Sequence, residues 1–93
     1  MASKERTIKR PDKENKADKS TDRFLILHND DVNSFDYVIE TLIDICGHDS
    51  IQAEQCAFIT HFKGKCDVRK GSLELLKLMK DKLVSKGLSA TID

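Results

Sequence analysis

The most informative pattern in the chain is an apolar run that ends in polar residues and leads into a helical stripe. Residues 24–27 are Phe-Leu-Ile-Leu, a short continuous run typical of a strand covered on both faces, and we predict a strand over 23–28. Three polar residues follow this predicted strand directly: Asn29, Asp30 and Asp31. Apolar residues then recur at helical spacing at Phe35, Val38, Ile39, Leu42, Ile43 and Cys46. The pattern predicts a polar turn between a strand and an amphipathic helix.

Capping residues and glycines define the limits of three helices. Side chains that can accept hydrogen bonds from the first free N–H groups of a helix begin them: Asn33 or Ser34, Asp49 or Ser50, and Ser72. Glycine is favoured just beyond a helix end and closes them at Gly47, Gly64 and Gly87. Gly71 is expected to turn the chain between a half-exposed strand over 65–70 and the third helix. A last short strand is predicted over 88–92.

The order of these elements indicates the fold class. The second helix carries Ile51, Phe58 and Phe62 on one side and Ala53 and Ala57 on an adjacent side. In the third helix we expect a buried face made of Leu73, Leu75, Leu76, Met79 and Leu83. The order β-α-α-β-α-β predicts an α/β (α+β) fold, a small single-domain sandwich in which a three-stranded antiparallel sheet packs against three helices.

Composition divides the chain into an extension and a core domain. Residues 1–22 hold seven Lys or Arg and five Asp or Glu, with one isoleucine as the largest apolar residue. Such a segment cannot bury enough surface to offset its ordering entropy. We therefore expect a disordered N-terminal extension over 1–22 and a core domain over 23–93. The extension is either a solvated tail or a segment that docks on a partner.

Charge and hydropathy narrow the class of partner. The 93 residues have a formal net charge of zero at pH 7, so no overall field attracts the chain to nucleic acid or to a membrane surface. No apolar stretch approaches the roughly 20 residues of a membrane span. The start of the chain lacks the apolar segment of a signal peptide. We expect a cytoplasmic protein with no nucleic-acid or membrane partner, and nothing calls for more than a monomer.

The chemistry-bearing residues match no known catalytic or metal-binding pattern. Three cysteines fit no zinc spacing and are expected to be reduced structural thiols: Cys46, Cys56 and Cys66. Asp30 and Asp31 could act as a carboxylate pair, but adjacent residues of a strand point to opposite faces. We therefore expect no enzyme, no cofactor and no metal. A metal-dependent hydrolase that uses Asp30, Asp31 and His61 is the remaining enzymatic alternative.

A binding site is the better hypothesis for the polar turn. His61 falls near the end of the second helix, at the edge of its apolar face. If the first two helices pack as a hairpin beside the first strand, His61 approaches Asn29 and Asp30. The alternatives stay open at this point, because Asn29, Asp30 and Asp31 could form an ordinary Asx-capped turn. His61 could likewise satisfy a nearby carbonyl group at the helix end.

The same residues resemble the ClpS adaptor family of the bacterial N-end rule pathway. The resemblance rests on segment 27–31, Leu-His-Asn-Asp-Asp, on Val38 and Ile39 in the following helix, and on segment 61–65, His-Phe-Lys-Gly-Lys. It covers residues 23–93, and the predicted element order agrees with the fold of the family. A stand-alone chain of this size is similar to the bacterial adaptor rather than to the ClpS-like domains of eukaryotic N-recognin ubiquitin ligases.

The resemblance implies a role in protein degradation. Members of the family bind proteins whose first residue is Leu, Phe, Tyr or Trp and pass them to the AAA+ unfoldase ClpA or ClpC and the ClpP protease. By resemblance, the free α-amino group would be held by Asn29, Asp30 and His61. The pocket for the first side chain would be lined by Asp31, Asn33, Phe35, Val38, Ala57, Thr60 and Leu88. Glu74 matches a position on the unfoldase-facing surface of the family.

The chain departs from the family pattern around the pocket. Asn33-Ser34 stands where Thr-Pro is common, Phe35 and Ala57 stand where Met is frequent, and Thr60 replaces a common Val. These changes redistribute the pocket volume, so the ranking of first residues is open. The main alternative function is a general protein–protein interaction module that docks on a partner complex without reading N-termini.

Overall fold

The computed structural model describes residues 22–93, which form three strands and three helices in the predicted order. The predicted fold class, a three-stranded antiparallel sheet with three helices, is confirmed. Apart from Asp22, the predicted extension over 1–22 lies outside the described residues. The elements are β1 (Asp22–His28), α1 (Phe35–Cys46), α2 (Ser50–Lys63), β2 (Lys65–Ser72), α3 (Leu73–Ser85) and β3 (Ser89–Ile92).

β1 is the central strand of the sheet, whose strand order is β2-β1-β3. It pairs antiparallel with both neighbours, so that Leu25 lies opposite Arg69 on β2 and Ile92 on β3. The register with β2 shifts between Leu25 and Ile26. Because both edges of β1 are hydrogen-bonded, its C-terminal end, and the polar turn that follows, are held in a defined position.

Only one face of β1 is covered, which corrects the prediction that both faces are. Leu25 and Leu27 are fully buried, whereas Phe24 is 40% exposed and Ile26 is half-buried. Successive side chains of a strand point to opposite faces, and the hydrophobic core lies on the face that packs against the helices. A run of four apolar residues is therefore compatible with a two-layer fold whose outer sheet face meets solvent.

The predicted helix limits are confirmed, and the structure selects one cap from each pair of candidates. The Ser34 side chain accepts a hydrogen bond from the Tyr37 N–H, and the Asp49 side chain accepts one from the Gln52 N–H. Ser72 caps α3 in the same way. Because each N-cap satisfies an otherwise free N–H group, the three helices begin at defined residues.

Gly71 does not turn the chain, which corrects the sequence-based expectation. It lies inside β2, opposite Arg23 on β1, and β2 continues to Ser72. Leu73 is already the first residue of α3. The change from strand to helix needs no separate turn because Ser72 has the extended backbone of an N-cap, with φ −72° and ψ 155°.

The small-residue side of α2 faces the core, and its large apolar residues face solvent. Ala53 and Ala57 are buried, whereas Ile51, Phe58 and Phe62 are exposed. Small side chains allow α2 to lie close to α1 and β2, and the larger residues are left on the outer side of the helix. The aromatic residues of α2 are therefore available for contacts outside the core.

The buried face of α3 is narrower than predicted. Leu76 and Leu83 are fully buried and Met79 is half-buried, but Leu73 and Leu75 are exposed. The expectation that all five apolar residues are buried is therefore wrong for the first turn of the helix. A short helix that crosses a three-stranded sheet contacts it along one stripe, so residues that flank the stripe meet solvent.

The three cysteines are free thiols within the core. Burial raises the pKa of the Cys46 thiol to about 11 and that of the Cys66 thiol to about 12. Burial likewise raises the pKa of Cys56. The thiols are therefore protonated at neutral pH and act as small apolar side chains, as predicted. Within residues 22–93, no helix is both long and apolar enough to cross a membrane.

His48 joins the loop between α1 and α2 to the sheet. It is only 4% exposed, and its Nε2 lies 2.7 Å from the carbonyl oxygen of Val68 on β2. Because a carbonyl oxygen can only accept, Nε2 carries the proton and donates. The hydrogen bond satisfies the buried carbonyl oxygen of Val68.

We expect His48→Ala to lower the free energy of unfolding by about 2–4 kcal/mol, because it leaves a cavity and an unpaired Val68 carbonyl group. Urea denaturation measures the change. His61→Ala is the matched control, since His61 is exposed and its loss should cost less than about 0.5 kcal/mol. Equal midpoints for the two variants would contradict the structural role of His48.

Candidate functional site

A backbone hydrogen bond ties the end of β1 to the end of α2. The N–H of Asn29 donates to the carbonyl oxygen of Gly64 over 2.9 Å. Gly64 is the C-cap of α2 and has a left-handed conformation with φ 95°, which favours glycine. His61 lies in the last turn of α2. The bond therefore brings the ends of β1 and α2 together, and Asn29 and His61 with them.

Asp30 holds the turn together through both of its carboxylate oxygens. Oδ1 accepts hydrogen bonds from the backbone N–H groups of Val32 and Asn33, each over 2.9 Å. Oδ2 accepts from the Asn33 side-chain amide over 3.0 Å. The turn is therefore Asx-capped, which was one of the alternatives raised by the sequence.

The same hydrogen bonds keep Asp30 ionised. Desolvation by burial is the largest single influence and raises the pKa of this carboxyl group. The three hydrogen bonds from Asn33 and Val32 act in the opposite direction and together bring the pKa below its ordinary value. Asp30 is consequently a negative charge in a fixed orientation at neutral pH.

Asn33 connects this turn to a distant loop. Its Nδ2 donates to Asp30 and also to the carbonyl oxygen of Gly87, which lies 2.9 Å away between α3 and β3. Gly87 has φ 89°, again a left-handed conformation. The next residue, Leu88, is buried. The amide of Asn33 thus ties the loop that precedes Leu88 to the turn.

These connections enclose a cavity of about 250 Å³. All ten residues that the sequence predicted for the α-amino group and the side-chain pocket line this one cavity: Asn29, Asp30, Asp31, Asn33, Phe35, Val38, Ala57, Thr60, His61 and Leu88. Leu27 and His28 also line it and were not predicted, although their position directly before Asn29 was a usable signal. Drug-sized ligands occupy pockets of roughly 300–1,000 Å³, so this cavity suits a smaller group.

The cavity has an apolar interior and a polar rim. Val38, Ala57 and Leu88 provide apolar walls. Thr60 adds to them, because its hydroxyl group donates within the helix to the carbonyl oxygen of Cys56 over 2.7 Å. The acceptor-rich side chains of the turn stand beside these walls. Such an arrangement can bind a group that combines a cation with an apolar side chain.

The mouth of the cavity is aromatic. The rings of Phe35 and His61 meet edge to face, with centroids 6.2 Å apart and an interplanar angle of 89°. The ring of Phe62 lies 4.7 Å from that of His61. These contacts orient the exposed imidazole of His61, which keeps its position beside the rim.

Two other sequence-based hypotheses concern Glu74 and a possible metal site. Glu74 is exposed in the first turn of α3 and does not line the cavity. Within residues 22–93, no group of three or more His, Cys, Asp or Glu side chains is placed to hold a metal ion.

Comparisons with known proteins agree with this architecture. The family model for the ATP-dependent Clp protease adaptor protein ClpS matches residues 19–91. The solved structure of Agrobacterium tumefaciens ClpS2 bound to L-phenylalaninamide is similar, with a TM-score of 0.69 and 18% identity, and the match covers 78% of this chain and 95% of that one. At this identity the structural likeness shows the fold alone. No curated protein sequence matches the chain.

The family model spans the turn, the cavity-lining residues and all the described elements except Ile92, the last residue of β3. The chain therefore belongs to the ClpS family of Clp protease adaptor proteins.

Proposed function

We propose that this protein binds the free α-amino group and the bulky hydrophobic first side chain of N-degron substrates and delivers them to an AAA+ Clp unfoldase and the ClpP protease. The observation that carries the proposal is one cavity with an apolar interior and an acceptor-rich rim. The substrates are proteins or peptides that begin with Leu, Phe, Tyr or Trp. The protein acts as a binding adaptor without catalysis, as a monomer in the cytoplasm.

The rim residues match the chemistry of a free N-terminus. An α-ammonium group has three N–H donors, and Asn29, Asp30 and His61 offer an amide oxygen, a carboxylate and a ring nitrogen as acceptors. Oδ2 of Asp30 accepts one hydrogen bond within the turn and retains capacity for a second. A charged donor and a carboxylate form a strong hydrogen bond, so Asp30 would combine a structural role with recognition.

The apolar interior matches the first side chain. Agrobacterium tumefaciens ClpS2 was solved with L-phenylalaninamide, a ligand that has a free α-amino group and an aromatic side chain. Three departures of this chain from the family pattern, Phe35, Ala57 and Thr60, line the cavity. They would therefore change the ranking of first residues rather than the recognition of the α-amino group.

Recognition of the α-amino group is tested with peptides that differ only in N-terminal acetylation. We expect acetylation to weaken binding at least about tenfold, because the acetylated end loses its charge and leaves acceptors unpaired at about 1–3 kcal/mol each. Fluorescence anisotropy with peptides that begin with Phe or Leu measures the affinities.

The matched variants are His61→Ala and Lys63→Ala, two exposed residues of the last turn of α2. Only His61 lines the cavity, so only its loss should weaken binding of the free peptide. Equal affinities for free and acetylated peptides would refute the proposal and favour a general interaction module that does not read N-termini.

Cavity size is tested at Ala57. We expect Ala57→Met to weaken binding of peptides that begin with Phe or Trp by about tenfold and those with Leu less, because the longer side chain occupies cavity volume. Gln52→Met, on the exposed side of the same helix, is the control. A circular dichroism melt confirms that Ala57→Met is folded. An unchanged ranking of first residues would show that Ala57 does not limit the pocket.

Delivery requires a second surface, which we propose includes Glu74. This residue is exposed on α3 and does not line the cavity. We expect Glu74→Lys to weaken binding to purified ClpA or ClpC at least about fivefold through charge reversal, with peptide affinity unchanged. Asp81→Lys, an exposed residue of the same helix, is the matched control. Wild-type affinity of Glu74→Lys for both unfoldases would count against this surface.

A further inference from the structure

A row of exposed aromatic rings leads away from the mouth of the cavity. Phe58 and Phe62 on α2 are 56% and 66% exposed. The ring of Phe58 meets that of Phe35 edge to face, with centroids 6.2 Å apart, and lies 4.5 Å from the ring of Phe62. Large apolar residues that are exposed and contiguous commonly mark a binding surface.

A groove between α1 and α2 begins at the same place. It has a volume of about 510 Å³, and its apolar floor includes Phe35, Ile39 and Phe58. Phe35 lines both the cavity and the groove, so the groove starts where the cavity ends. We call this surface, from Phe35 to Phe58 between the two helices, the α1–α2 groove.

The charge of the α1–α2 groove is negative. Asp36 and Glu54 line it, and the other lining residues are apolar or the neutral Gln55. The groove therefore combines an apolar floor with two carboxylates and has no cation of its own to balance them. A ligand with an apolar side chain next to a basic one complements both features.

We infer that the α1–α2 groove holds the second and third residues of the bound N-terminal peptide and prefers apolar residues there followed by a basic one. This inference rests on the proposed function. A peptide whose first side chain fills the cavity must leave through the mouth beside Phe35 and His61. An extended chain advances about 3.4 Å per residue, so two residues span a distance like the 6.2 Å between the rings of Phe35 and Phe58.

Continuity with the cavity is what selects this occupant over a second copy of the chain. The shared residue, Phe35, contacts His61 on the cavity side and Phe58 on the groove side. A peptide is one continuous chain, so a peptide whose first residue lies in the cavity is directed onto the groove by the residues that follow. The groove thereby makes the protein select degrons by the residues after the first as well as by the first.

The test compares a ligand that ends after one residue with peptides that continue. The ligands are phenylalaninamide and peptides that begin Phe-Leu-Leu-Arg, Phe-Ser-Ser-Arg or Phe-Leu-Leu-Glu, with identical remaining residues. Isothermal titration calorimetry measures each affinity for the full chain. The variants are Phe58→Ala with Ile51→Ala as its control, an exposed apolar residue of the same helix that does not line the groove.

For the wild type, we expect Phe-Leu-Leu-Arg to bind about fivefold more tightly than Phe-Ser-Ser-Arg because apolar surface is buried. It should bind about twofold more tightly than Phe-Leu-Leu-Glu because of the groove carboxylates. Phe58→Ala should remove the first difference and leave the affinity for phenylalaninamide unchanged. Glu54→Gln should reduce the second difference, with Glu40→Gln, which lies outside the groove, as its control.

The outcomes distinguish a failure of the groove proposal from a failure of the proposed function. If phenylalaninamide binds and the three peptides bind equally, or if Phe58→Ala leaves their differences intact, the groove proposal is overturned and the proposed function stands. If phenylalaninamide and all peptides fail to bind, the proposed function itself is wrong. If sedimentation shows a wild-type dimer that Phe58→Ala converts to a monomer, a second copy covers the groove, and the proposal is overturned.

Discussion

The hydrogen bond from the N–H of Asn29 to the carbonyl oxygen of Gly64 is the connection on which the site depends. It joins the end of the central strand to the end of α2, two points far apart in the sequence. The bond requires a chain reversal at Gly64, where the left-handed φ of 95° favours glycine. The acceptors of the turn and the imidazole of His61 come to one rim because this contact fixes both elements.

The polar residues of the turn shape the cavity and also supply its hydrogen-bond acceptors. Asp30 uses both carboxylate oxygens to close the turn, and Asn33 links the turn to the loop before Leu88. A small domain with a core of Leu, Cys and Ala has little apolar surface to enclose a ligand. Hydrogen-bonded polar side chains therefore form the part of the cavity wall that apolar core residues do not form. The exposed rings of Phe35 and Phe58 extend apolar surface beyond it.

Local signals in the sequence predicted the elements well and their surroundings less well. Ser34 and Gly47 bound α1 as the capping rules predict, because a cap depends on residues within one turn. The burial of β1 and the role of Gly71 were predicted wrongly. Both depend on where other elements lie: the helices cover one face of the sheet, and Arg23 pairs with Gly71 across it.

The sequence by itself determined the element order and the helix limits, because these follow from local spacing and capping residues. Its short motifs carried the resemblance to the ClpS family, and the residues of the candidate site were predicted from that resemblance. Only the tertiary structure decided that ten such residues line one cavity. It also decided that Asp30 is committed to the turn and that Phe58 faces solvent. The physical reason is that burial and hydrogen-bond partners are set by contacts between residues distant in the chain, which periodicity within one helix or strand does not specify.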